Sequence, residues 1–122
     1  MGKAADKLRL AEKHLERVQG AWSDPTDWAD LSLYGFYCLE NAVEAAAIHF
    51  KIPISRRHWE KADTAHELHL KHRLPDVSDL LRDLNEARKF AAYGDVPPPA
   101  LDAEDVARRI EEFIEATKAA LP

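Results

Sequence analysis

The chain has 122 residues, 46% of them apolar and 32% charged, and a net charge of −5 at pH 7. That length suits one domain with its own core and no covalent staples. A single cysteine excludes an intrachain disulfide framework and a thiolate metal centre, and the acidic balance argues against tight, non-specific tracking of nucleic acid by phosphate neutralisation.

Only four glycines stand beside abundant Ala, Leu, Glu and Lys/Arg, which favours helix over sheet. The opening MGKAADKLRLAEKH is a charged amphipathic pattern with no apolar run of signal length, and no stretch approaches a membrane span. A cytoplasmic protein without a membrane partner is the expectation. A first helix is predicted from about Lys3 to Ala21, with Leu8, Ala11, Leu15, Val18 and Trp22 at three- and four-residue spacing. SDPTD (23–27) breaks it and offers N-caps for a second helix from Trp28 to Lys51. That helix is apolar on more than one face and should be central, with Gly35, Cys38, Ala42, Ala45 and Ala46 allowing neighbours to approach closely.

After the turn IPIS, Ser55 is placed to cap a third helix over Arg56 to His72. Leu74-Pro75-Asp76 ends it, and Asp76 and Asp79 have capping-box spacing for a fourth, whose stripe is Val77, Leu80, Leu81, Leu84, Ala87 and Ala91. Gly94 is placed to stop that helix ahead of VPPPA (96–100), and Asp102 to cap a fifth with the stripe Val106, Ile110, Phe113, Ile114, Thr117 and Leu121. Short connections between long helices predict antiparallel neighbours. The fold expected is therefore all-α, a single-domain up-and-down bundle of five helices spanning 1–122.

Three polar clusters interrupt the bland pattern. His66, His69 and His72 share the third helix, but their spacing drifts by about 60° from end to end, so only adjacent pairs share a face. His66 and His69 are thus weak candidates for a metal pair; a solvated face is the plainer reading, and no metal or other cofactor is expected. Six Lys/Arg against three acids between Lys51 and Arg73 give this segment a local basic character. On the second helix, Glu40 and Glu44 lie on one face. They form either a solvated edge or, if buried, an ion pair with Arg88. The last cluster is the end of the fourth helix, LLRDLNEARKFAAYGD (80–95), with Asn85, Arg88, Lys89, Tyr93 and Asp95 around Gly94.

This segment, together with LENAVEAAAIHF (39–50), resembles the HEPN family of small helical bundles associated with RNA or nucleotides. The resemblance covers roughly Trp28 to Asp95. The family's nuclease members carry an Arg, four to six residues, then a His. Arg88 matches the arginine, but the position five further on is Tyr93, and no histidine lies in that window. Arg9 and His14 have the same spacing on the wrong element.

Histidine moves protons near neutral pH, whereas an unperturbed tyrosine has a pKa of about 10. Residues five apart on a straight helix also point about 140° apart, so Arg88 and Tyr93 converge only if the helix unwinds at Gly94 or two copies meet. The resemblance implies a homodimer that faces these helix ends together. It also implies a nucleotide- or RNA-associated binding module without efficient ribonuclease activity, and one half of a toxin–antitoxin-type pair as a setting. Arg88 would anchor phosphate, Asn85 and Tyr93 would hydrogen-bond and stack, and Asp95 would fix the helix end. Two alternatives stand beside it. One is a metal-independent ribonuclease using Tyr93 or a histidine of the third helix. The other is a protein-interaction module whose apolar edge (Trp22, Trp28, Trp59) meets a cognate partner.

Overall fold

The computed structural model describes residues 2–23, 25–54, 56–91 and 99–121. They form five helices, α1 (Gly2–Ala21), α2 (Trp28–His49), α3 (Lys61–His72), α4 (Ser78–Ala91) and α5 (Ala103–Ala120), with a 3-10 turn over His58–Glu60. The described residues contain no strand, so the chain is an all-α bundle. None of its helices is long and apolar enough to cross a membrane.

α2 is the central helix and touches all four others. Its sequence explains this. Leu31, Phe36, Leu39 and Val43 are fully buried beside the small residues Gly35, Cys38, Ala42 and Ala46, so apolar surface runs around most of the helix. At Gly35 a Cβ would lie 3.1 Å from Ile110 Cδ1 and 3.3 Å from Leu84 Cδ1, so α4 and α5 close onto α2 where it lacks a side chain. Cys38 is wholly buried and its thiol donates to the Ala11 carbonyl (3.2 Å); burial holds the thiol protonated far above its ordinary range.

Cross-helix contacts fix the directions. Lys7 meets Glu44, Ala11 meets Cys38, His14 meets Tyr34 and Tyr37, and Arg17 meets Asp30, a descending register that makes α1 and α2 antiparallel. Asp63 with Arg82 and His66 with Asp76 do the same for α3 and α4. Arg109 of α5 takes both oxygens of Asp79 (3.1 and 2.8 Å) and the Asp76 carbonyl (3.0 Å), pinning α5 to the start of α4. Lys118 reaches Glu12 on α1.

Helix ends follow local chemistry. Asp27 caps α2 by accepting from the Asp30 N–H, and Asp102 caps α5 by accepting from Glu104 and Asp105. α2 stops at His49, two residues before the expected Lys51. Lys51 turns left-handed (φ 59°) where glycine is usual, and its N–H and that of Ile52 return to the Ile48 and Ala47 carbonyls, a Schellman stop. The expected single helix over 56–72 is divided into the 3-10 turn and α3. α3 ends at another left-handed residue, Arg73 (φ 59°).

At the head of α4, Asp76 accepts from the Ser78 N–H and hydroxyl, while Asp79 serves Arg109 instead of completing a capping box. Ser55 and Gly94, with the stops and caps assigned to them, lie outside the described residues.

Gly20 of α1 and Gly35 of α2 should respond oppositely. Gly35→Leu must force Ile110 and Leu84 aside and should destabilise by about 1–3 kcal/mol or more. Gly20→Ala meets no atom within 4 Å and should stabilise by roughly 0.5–1 kcal/mol through helix propensity. Urea midpoints of the two variants check both signs.

Candidate functional site

The site grows from the repeat of four along α2. Phe36, Glu40 and Glu44 fall on one helical face, turned toward the segment that follows IPIS. Lys61, the first residue of α3, sits between the two carboxylates with its side chain 5% exposed, 2.6 Å from Glu44 and 3.3 Å from Glu40. Lys7 of α1 closes on the other oxygen of Glu44 at 2.9 Å. Nδ1 of His58, in the 3-10 turn, is hydrogen-bonded to Glu40.

Desolvation pushes the Glu44 carboxyl up, but the hydrogen bonds and charges of Lys61 and Lys7 outweigh it, and the net pKa falls below the usual value. A carboxylate accepts, so Nδ1 of His58 is the ring nitrogen that donates to Glu40, and Nε2 is the other ring nitrogen.

Of the two alternatives for Glu40 and Glu44, a solvated edge or an ion pair with Arg88, the contacts show neither. Lys61 reaches both glutamates from α3 and satisfies them, and Arg88 goes elsewhere. Its guanidinium lies 4.6 Å over the Phe36 ring and 6.0 Å from Tyr37, and its Nε donates to Asn85 Oδ1 at 3.0 Å. Among the described residues no carboxylate pairs with it. Among the described residues this half-buried guanidinium meets a neutral amide and aromatic faces, and its terminal N–H groups have the fork geometry that matches phosphate.

His58 meets the same Phe36 ring edge-on at 5.6 Å, so Arg88, Asn85, Phe36 and His58 form one cluster where α4, α2 and the 3-10 turn meet. On its α3 side, a groove of about 230 Å³ is lined by His58, Trp59, Arg82, Asn85, Glu86 and Lys89 over a floor of Ala62 and Leu81.

Asn85 and Arg88 are brought together as the sequence suggested. Tyr93 and Asp95 lie outside the described residues. His66 and His69 do not share a ligand set: His66 reaches Asp76 at 3.3 Å and His69 the Leu74 carbonyl at 2.8 Å. His72 stacks on Phe50 at 3.8 Å. The described residues hold no group of three or more side chains fit for a metal.

Of the three tryptophans expected at an edge, Trp22 and Trp28 pack partly buried against the core, and only Trp59 stands out, 62% exposed. Lys61 and His58 are the residues the sequence reading missed. A signal existed for Lys61: it lies four residues before Ala65 on the apolar stripe of α3, where a solvated lysine has no place. His58 had none, because its partner is eighteen residues away.

No family model matches the chain, and neither a curated protein nor a solved structure matches it.

Lys61→Met should cost about 1–3 kcal/mol, since it leaves Glu40 with His58 and Glu44 with Lys7 as their remaining partners, and adding Glu44→Gln should recover part of that loss. The acid response has a defined sign. The folded-state pKa of Glu44 lies below its ordinary value of 4.5, so its contribution is complete above that pH and is lost as pH falls through the folded value. Denaturant titrations from neutral pH to pH 3 should show a shallower loss in Glu44→Gln than in wild type.

Proposed function

We propose that this chain is a HEPN-like domain that binds a nucleotide or an RNA by its phosphate at the end of α4. The observation that carries the reading is the state of Arg88. The nearest acids on α2 are consumed by Lys61, and the guanidinium rests on Phe36 and Asn85 without a counter-charge among the described residues. Lys89, one residue on, adds a second exposed cation at the rim.

The overall charge of −5 keeps such binding local: a few aimed contacts rather than a basic face. The resemblance adds Tyr93 and Asp95, which lie outside the described residues, and a second copy of the chain against the outward face of α4, where Phe90 is 55% exposed. A toxin–antitoxin-type pair is the setting the resemblance offers.

Thermal unfolding of wild type and Arg88→Ala, each with and without a short RNA and a nucleotide panel, tests the reading. Ligand at about 100 times its Kd should stabilise wild type by about 2.7 kcal/mol. Arg88→Ala should stay folded and lose that gain. A wild type that responds to no ligand, with Arg88→Ala melting far lower, makes Arg88 structural and sinks the proposal. Sedimentation of wild type checks the dimer.

A second reading is favoured by the contact of His58 with Glu40. The sequence window after Arg88 lacks a proton-transfer residue, and the fold brings a histidine beside the same phenylalanine from another element. With Nδ1 fixed by Glu40, Nε2 can take the proton of a ribose 2′-hydroxyl as that oxygen attacks phosphorus. The 5′-oxygen then leaves and is protonated by water, and a cyclic phosphate remains. Cleavage of RNA in excess chelator, abolished by His58→Ala and by Arg88→Ala, is the expected result; intact RNA after prolonged incubation removes this reading and leaves the binding one.

A further inference from the structure

We propose that the groove between the 3-10 turn, α3 and α4 is a nucleobase subsite, and that it restricts the ligand of the Arg88 site to nucleic acid with unpaired bases. The inference rests on the phosphate-binding reading of Arg88 and extends it to the ligand's other half.

Four observations carry it. Trp59 lines the groove while 62% exposed, although the other two tryptophans are packed against the core. A large ring held at the mouth of a polar cleft forgoes burial that this bundle gives its other indoles; Arg57 lies over one face at 5.5 Å, and the indole area still exposed suits stacking. The groove is about 230 Å³, smaller than the roughly 300 Å³ at which drug-sized ligands begin, and its floor of Ala62 and Leu81 is apolar. A flat heterocycle suits both.

Asn85 supplies direction. Arg88 donates Nε–H to its Oδ1, so the other end of that amide is the NH₂ group, which can donate to an acceptor on a base edge. Charge supplies the last argument. Glu86 stands in the lining and Arg82 is engaged by Asp63 at 3.4 Å, so the groove is poorly suited to bare phosphate. Lys89 at the rim and Arg88 behind Asn85 are the cations left for it.

The arrangement thus separates a base pocket from a phosphate anchor, with Asn85 between them. Duplex RNA presents base edges only, and its stacked faces cannot reach Trp59; single strands can splay a base into the groove.

The test measures affinity of wild type, Trp59→Ala, Trp59→Phe and Arg88→Ala for three probes: a single-stranded oligoribonucleotide, the same sequence as a duplex, and a base-free polyphosphate. Wild type should bind the single strand at least tenfold more tightly than the duplex. Trp59→Ala should lose about tenfold or more for the single strand, the scale of one base–aromatic stack, and nothing for polyphosphate. Trp59→Phe should keep most of the affinity while removing the ligand-induced quenching of tryptophan emission.

If Trp59→Ala binds the single strand as wild type does, while Arg88→Ala does not, the base subsite is wrong and the phosphate reading survives. Equal affinity for duplex and single strand overturns the subsite as well. If wild type binds none of the three probes, both proposals fall together.

Discussion

One lysine between two glutamates organises this bundle. Burying Glu40 and Glu44 on the central helix is unfavourable without a cation, and Lys61 arrives at that place only if α3 starts where it does and docks where it does. The charged contact adds a specific tie between α3 and α2 to the apolar packing of Ala62, Ala65 and Leu68. Lys7 adds α1 to the same junction, so three helices meet at one electrostatic point. The 3-10 turn just ahead of Lys61 is carried along, which sets His58 against Glu40 and leaves Trp59 at the mouth of the groove. The same lysine occupies the two glutamates of α2 that Arg88 could otherwise meet, and among the described residues no carboxylate pairs with that arginine.

The helices themselves were legible in the sequence because they rest on local rules. The stripes of α1, α4 and α5 repeat at three and four residues, and Asp27 and Asp102 are the capping residues their positions advertise. The multi-faced apolar pattern of α2 translated directly into a helix in contact with all the others. The boundaries that moved were those decided by backbone geometry without a sequence marker. Lys51 and Arg73 adopt left-handed conformations that glycine would have signalled, and the segment 56–60 departs from a regular helix in order to deliver His58 and Lys61.

The site was legible only in its local half. Asn85 and Arg88 are three residues apart on one helix, and their association follows from spacing. The spacing left Glu40 and Glu44 either solvated or facing Arg88, and the lysine that meets them comes from α3, at a sequence distance that no periodicity spans. Lys61 needs no help from α4 to reach them; Arg88 finds in Phe36 a ring that the sequence marks only as core. Pairings across eighteen or fifty residues depend on helix packing, and no periodicity encodes them. The basic character of 51–73 was visible, but its use was not: Lys61 is spent inside the protein, while Arg57 lies over the Trp59 ring.

Cys38 gives the bundle an internal clock. Its thiol is sealed between α1 and α2 and tied to the carbonyl of Ala11, so a thiol reagent in solution reaches it only when the α1–α2 hairpin opens. Burial also keeps the sulfur protonated, so reagent that leaks in meets the unreactive form. The rate of labelling therefore reports the separation of these two helices, without any probe having to be introduced.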